Sequence, residues 1–422
     1  VLFRFSLYGF LKNQRYFEPF LVLAFLDKGL SFLAIGTLIA SREIATNVLE
    51  IPSGSIADLL GRRRSMLVSF GSYLASFVVF WLAAEPWLLW PAMFLFAIGE
   101  AFRTGTHKAM IFEWLRREGR QGEKTKVYGQ TRSWSKFGSA VSVVIGAALV
   151  FWLDSYSSVF LLSAVVTALS IANLLSYPSY LDGDPKPGTG WRDLWQHSRA
   201  AIAQAVRQRS LRRLMAESMS FEGMFHASKD YLQPLLASAA AVWFAGYFAA
   251  NPDSTASWSE LQRTTLLIAP TYLLLHLMSA VASRRAHRVV AAVGGDETRA
   301  ARLLWGLALL LFIAMLLGEL TTTLGISIAA FVLLHVLQNV WRPILLSRLD
   351  HATDGSSAVT LSVESQARRS ATMLLAPIFG AVIDATQARA DDAVGIYWPI
   401  AAVGGALALV MFVTAASRNR DS

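Results

Sequence analysis

Cysteine is absent from these 422 residues, which excludes disulfides, thiolate metal sites and thiol nucleophiles. For a chain lodged in a bilayer, that absence says nothing about redox compartment. Charge is scarce as well: Asp, Glu, Lys and Arg make up 16% of the chain, against about 25% in soluble domains. No Gly-x4-Gly-Lys-Ser/Thr loop is present to cradle phosphates, so ATP is not the direct energy source. His-x-x-x-His and paired-carboxylate metal spacings are also missing, and no cofactor is expected.

Apolar residues fill the place of charge. The chain is 54% hydrophobic, with 25 Phe and 13 Trp, and its mean hydropathy is +0.44. Too little polar surface remains to coat a soluble globule, so lipid must cover much of it, and disorder or a soluble two-domain enzyme is excluded. A spanning helix takes about 20 apolar residues, which leaves room for roughly a dozen. Apolar runs are read at 8–28, 32–60 (broken by Pro52 and Gly54), 65–84, 87–114, 132–153 and 157–177. The first contains Lys12, Arg15 and Glu18 and lacks a small-residue cleavage site, so it reads as a retained helix. Six more runs lie at 212–248, 264–283, 301–319, 322–346, 358–384 and 394–416. The expected fold is all-α and polytopic, with twelve transmembrane helices in two halves, 1–178 and 211–422. Between them, residues 179–210 form a linker holding a turn-rich stretch at 182–188 and a basic amphipathic stretch from Trp191 to Arg209.

The net charge of +9 comes from 38 Lys and Arg against 29 Asp and Glu. Its basic residues collect in alternate connections, at 62–64, 116–126, 192–213, 284–302 and 348, while the other connections hold Arg263 and Arg389. That alternation is the positive-inside pattern and puts both termini and the linker on the cytoplasmic side. With no aromatic-interleaved basic patch, nucleic acid is not an expected partner.

Between the second and third helices the chain reads Gly54-Ser55-Ile56-Ala57-Asp58-Leu59-Leu60-Gly61-Arg62-Arg63-Arg64. Together with the six-plus-six arrangement, this Gly-x3-Asp-x2-Gly-Arg-Arg-Arg run resembles the signature loop of the major facilitator superfamily. The resemblance implies an alternating-access carrier, without enzymatic activity, whose helices one, four, seven and ten line a central cavity. It also implies a conformational latch of Gly54, Asp58, Gly61, Arg62, Arg63 and Glu113, with Asp58 facing the helix start at Gly355-Ser356-Ser357 and Arg62 facing Glu113. A glycine-rich fifth-helix pattern of antiporters is partly kept at Gly129, Gly138, Ser142, Val143, Gly146 and Ala147, without its proline.

Charges at membrane depth cost about 3 kcal/mol each if they face lipid, so they are expected to face inward. Positions three, four or seven apart share a helix face. Such stripes comprise Glu43, Asn47 and Glu50 on helix two, Glu100, Arg103 and His107 on helix four, and Glu222, His226, Lys229 and Gln233 on helix seven, with Asp230 alongside. Helix ten adds His335, Gln338, Asn339 and Arg342. Glu364 with Arg368, and Arg15 with Glu18, read as pairs that hold helices together. Trp81, Trp134 and Trp341 read either as aromatic walls or as interfacial anchors.

Glu222, His226 and Glu100 are the candidates for carrying protons, because burial and neighbouring charge tune such groups. The function expected is proton-coupled efflux of a small organic solute across the inner membrane by a monomer in contact with lipid. Arg103, Lys229 and Arg342 suit a solute with anionic or zwitterionic groups. Uptake of a polar metabolite is the main alternative, and a non-transporting membrane sensor or assembly partner is the alternative from another class.

Overall fold

The computed structural model describes residues 1–103, 106–182, 207–251, 258–352, 357–389 and 395–417, without the side chains at 51, 55, 57–60, 125, 357–359 and 415–417. Among these residues the regular structure is helical, with no strand. The first apolar run is interrupted. Helix α1 (Leu2–Lys12) ends where the Asn13 amide folds back onto the Gly9 carbonyl at 2.7 Å, and a 3-10 turn at Glu18–Phe20 with Pro19 in it leads into α2 (Leu21–Asp27). In contrast, α3 (Phe32–Leu60) runs unbroken through Pro52 and Gly54, where a break was expected. Proline withdraws one donor from a helix, and membrane helices tolerate this when neighbours re-satisfy the backbone. Ser53 Oγ binds that turn at 2.9 Å from the Glu50 carbonyl and 2.9 Å from the Ala101 carbonyl.

Helices α4 (Arg62–Leu82), α5 (Leu89–Arg103), α6 (Thr106–Arg117), α7 (Lys124–Leu153) and α8 (Ser158–Leu175) follow, with α5 and α6 falling in the run expected at 87–114 on either side of residues 104 and 105, which lie outside those described. The run expected at 212–248 is also segmented. It comprises α9 (Arg209–Ser218), a π turn at Met219–Gly223, α10 (Met224–Ser228), a 3-10 turn at Lys229–Tyr231 and α11 (Leu232–Ala250). The chain continues through α12 (Glu260–Ala292), α13 (Glu297–Leu320), α14 (Leu324–His351), α15 (Ser357–Gln387) and α16 (Trp398–Ser417).

Among the described residues, eight segments are long and apolar enough to cross a membrane. The α1–α2 stretch falls outside that measure because it is interrupted, α5 and α6 because each described helix is short, and α15 carries Glu364, Arg368 and Arg369 within its length. Large apolar side chains point outward along many helices: Trp152 is 78% exposed and Leu310 63%. Water would penalise such a surface and hydrocarbon does not, so this is an integral membrane protein.

Two compact units divide the chain, one of residues 1–29 and 41–197 and the other of 30–40 and 198–422, so α3 contributes to both. In the first unit, glycines let backbones touch. A Cβ on Gly138 of α7 would lie 2.5 Å from the Phe10 carbonyl oxygen, and one on Gly9 of α1 would lie 2.7 Å from that of Thr131. Serines stitch α4 to α5, Ser69 Oγ donating to the Gly99 carbonyl at 2.6 Å and Ser76 Oγ to that of Ala92 at 2.7 Å. In the second unit Phe221, Trp305 and Trp341 form an aromatic cluster with centroids 4.8 to 5.4 Å apart. There, too, Asp384 of α15 caps α3, accepting from the Phe32 and Leu33 amides at 2.9 and 2.8 Å.

Candidate functional site

The Gly61 loop is a helix start built around a carboxylate. Gly61 has φ +94°, a conformation that disfavours any side chain, and a Cβ there would meet Asp182 Oδ1 at 2.8 Å. That oxygen accepts the Arg63 and Arg64 amides at 3.0 and 3.3 Å, capping α4. The Arg63 guanidinium in turn donates to the carbonyls of Leu174 and Leu175 at 3.2 and 2.8 Å, where α8 ends. Arg62 does not meet Glu113, as the resemblance implied. It donates to the Ala109 carbonyl at 3.4 Å, while Glu113 is held by Arg116 and Arg117, one turn further along α6, at 2.7 and 3.0 Å. Gly54 is exposed on α3. The Asp58 side chain and residues 355 and 356 lie outside those described, as does the amphipathic stretch up to residue 206.

Still in the first unit, a pocket opens among α1, α4, α5, α8 and the turn after α1. Arg103 pairs with Glu100 and donates from Nε to the Tyr73 hydroxyl at 3.2 Å, and that hydroxyl donates to Glu100 Oε2 at 2.6 Å. Lys12, Gln14 and Arg15 line the same pocket, with Phe17, Phe77 and Phe96 as its walls. Arg15 and Glu18 are 3.9 Å apart, a loose contact.

His107, expected on the same stripe as Glu100 and Arg103, is elsewhere. Its ring stacks on Tyr8 at 3.7 Å, meets Phe5 edge-on at 5.4 Å and lies 3.1 Å from the Tyr177 hydroxyl, within the aromatic core. Its partners Phe5, Tyr8 and Tyr177 come from α1 and the end of α8, so the ring is held by the aromatic core and not by the Glu100–Arg103 pair. On α3, Glu43 is buried and pairs with Arg42 at 2.6 Å, and Asn47 and Glu50 are half-buried.

The second unit holds a different cluster, around the π turn. Glu222 sits in that turn with its side chain 2% exposed, and it accepts from the Gln338 amide at 3.1 and 3.3 Å. His226 Nε2 is 3.8 Å from the same carboxylate. The turn is tied to α15 by Thr372 Oγ1, which donates to the Gly223 carbonyl at 3.2 Å. One wider turn of this kind re-aims side chains within a helix, and π turns recur at functional sites.

Arg342 forks onto Glu364 at 2.6 and 2.9 Å, and Ser218 donates to the same carboxylate at 2.5 Å. Arg368, expected as the partner of Glu364, also reaches that carboxylate, with Nε 4.0 Å from Oε1. A fork holds both carboxylate oxygens in one plane and outcompetes the single approach available along one helix.

Lys229 and Asp230 pair with each other at 2.9 Å, and Gln233 is fully buried. His335 bonds the Phe331 carbonyl at 2.9 Å through Nδ1 and packs edge-on against Phe225 at 4.7 Å, while Asn339 donates to the His335 carbonyl at 2.9 Å. Both side chains are thus engaged within α14. Of the tryptophans, Trp341 is fully buried, whereas Trp81 and Trp134 are 40% and 36% exposed. Among the described residues, no three of His, Asp and Glu converge as metal ligands.

Sequence reasoning placed Lys12 and Arg15 in the first helix, with Arg15 paired to Glu18, but assigned neither to a pocket, and it passed over Gln14 and Tyr73. Lys12 and Arg15 had one available signal, since two cations three apart in the first apolar run share a face. Gln14 and Tyr73 are uncharged and carried none.

A chain made of lipid-exposed helices, with inward clusters of charge and a glycine-bounded basic loop, has the design of a membrane solute transporter. The family model for the Major Facilitator Superfamily matches residues 11–363, and the chain belongs to that family. Multidrug resistance protein MdtH of Salmonella paratyphi C is 28% identical over 139 residues, 33% of each chain, and its counterpart in Salmonella newport matches over the same length. The match thus spans about a third of these curated relatives. Among solved structures, the nucleoside transporter NupG superposes with a TM-score of 0.75 at 12% identity, covering 99% of this chain and 98% of that one. A POT family transporter in complex with 5-aminolevulinic acid gives 0.68 at 13%, covering 99% and 96%. These likenesses establish the shared fold.

Proposed function

We propose that this transporter exports a small organic solute across the inner membrane in exchange for protons, by alternating access of two six-helix halves, 1–178 and 211–422. In this reading the stretches α1–α2 and α5–α6, together with α15 and α16, complete twelve passes, and both termini are cytoplasmic. The protein works as a monomer in lipid.

The observation that carries the proposal is Glu222. Its bonded partner is a neutral amide, whereas Glu364 nearby is forked by an arginine. Protonating Glu364 breaks a fork; protonating Glu222 breaks no ion pair with a bonded cation. Arg342, Arg368 and Glu364 act on Glu222 through space, and His226 stands 3.8 Å away. A carboxylate so placed can cycle a proton as its surroundings open and close. Glu100, tied to both Arg103 and Tyr73, is a weaker candidate for that role.

Export is favoured by the likeness to multidrug resistance proteins and by the small residues kept on α7. Asp58 serves here as the latch residue of the basic loop, so removing its charge biases one conformation over the other. The test is solute-dependent proton movement in pyranine-loaded proteoliposomes, using a panel of labelled organic anions and cations. Proton entry opposite to solute exit supports exchange. Movement in the same direction indicates uptake coupling instead, and solute flux without any proton signal removes coupling from the account.

A further inference from the structure

We propose that the pocket in the first unit is a carboxylate site. It takes an organic acid whose charged group meets Lys12 and Arg15, whose adjacent amide or hydroxyl meets Gln14, and whose apolar or aromatic body lies against Phe17, Phe77 and Phe96. The inference rests on the reading of the chain as a solute carrier and names the class of solute.

Two independent observations converge. The first is charge: the pocket is lined by three cationic side chains, Lys12, Arg15 and Arg103, against one carboxylate, Glu100. Arg103 is committed to Glu100 and to Tyr73 Oη, and Tyr73 closes the triangle onto Glu100. Lys12 and Arg15 are therefore the surplus, with Glu18 only loosely set against Arg15 at 3.9 Å. Cations gathered in a partly desolvated space repel one another unless an anion joins them.

The second observation is Gln14, which is 6% exposed and lines the same pocket. Both its amide nitrogen and its amide oxygen are buried with no hydrogen-bond partner. Buried amides are nearly always satisfied, so an orphan of this kind beside two surplus cations marks where a ligand supplies the missing donor and acceptor. A bare inorganic anion offers acceptors alone and leaves the Gln14 oxygen unmet, whereas an acid with an adjacent amide N–H serves both atoms. The phenylalanines account for the rest of the ligand, because an apolar wall gains nothing from a hydrated ion.

The test is thermal stabilisation of the full chain in detergent by two matched pairs at millimolar concentration: hippurate against hippuramide, and N-acetylphenylalanine against its amide, with sodium sulfate as a bare-anion control. Both acids should raise the melting temperature, with neither the amides nor sulfate doing so. Lys12→Gln and Arg15→Gln should each weaken acid binding about tenfold or more. Gln14→Leu should melt no lower than the parent, since it removes an unsatisfied amide, yet lose most of the acid-induced shift.

Equal stabilisation by the amides or by sulfate overturns the proposal, as does no stabilisation by either acid, or an unchanged shift in Gln14→Leu. Binding is read without any gradient. Acids bound but never moved would refute transport and leave the site standing, whereas proton-linked flux of other solutes without binding of either acid would refute the site alone.

Discussion

In the first unit, three cations face one carboxylate across a pocket, whereas in the second, Arg342 closes on Glu364 and leaves Glu222 to the amide of Gln338. The first arrangement holds positive charge without a matching partner and so asks for an anion. The second satisfies its arginine internally and keeps one carboxylate whose charge can change without breaking a fork. Recognition and energy coupling can thus reside in separate units of one chain, each with its own charge balance.

The largest effect is expected where that internal closure is broken. Arg342→Gln leaves Glu364, whose side chain is fully buried, with Ser218 and the longer 4.0 Å contact of Arg368. Breaking one side of a buried pair costs about 3 kcal/mol or more, so the melting temperature in detergent should fall by several degrees. Arg103→Gln in the first unit should cost less, because Tyr73 still donates to Glu100. Equal losses in the two variants would erase the contrast between the units.

Much of this was legible in the sequence. Helix content, the basic loop bounded by Gly61 and the small residues on α7 all follow from apolar run length and local residue type. What stayed hidden depends on partners far apart in the chain or on a change of helical register. Glu222 and Gln338 are 116 residues apart, and the π turn shifts the stripe without any periodic sign. The core position of His107 depends on Tyr8 and Tyr177, which no helical spacing links to it. Arg15 was assigned to Glu18 because a pair three residues apart is visible, while the pocket that claims it is assembled from four other segments.

Close packing gives the next prediction. Gly138→Val places methyl groups where a Cβ alone comes within 2.5 Å of the Phe10 carbonyl oxygen, and overpacking of this kind costs about 1 to 3 kcal/mol. Gly129→Val, where a Cβ meets nothing within 4 Å, should be tolerated. Paired melting curves check both, and similar losses at the two positions would mean that α1 and α7 do not approach here.

A smaller change is expected at the second unit's cap. Asp384→Asn removes the charge that receives the Phe32 and Leu33 amides but keeps one acceptor, for a loss of about 0.5 to 1 kcal/mol. Asp384→Leu should lose about twice that. Hydrogen exchange at the start of α3 reads the effect locally, and unchanged protection in both variants would show that the cap contributes nothing.

The central claim is that Glu222 couples solute movement to protons while the first unit supplies recognition. Its most direct test is Glu222→Gln in proteoliposomes, comparing accumulation driven by a pH gradient with solute exchange at equal pH on both sides. The amide keeps the shape and the contact with Gln338 but cannot carry a proton. The account predicts that gradient-driven accumulation is abolished while exchange stays within about twofold of the parent, a difference too small to reflect lost binding. Accumulation by Glu222→Gln at the parent rate would contradict it.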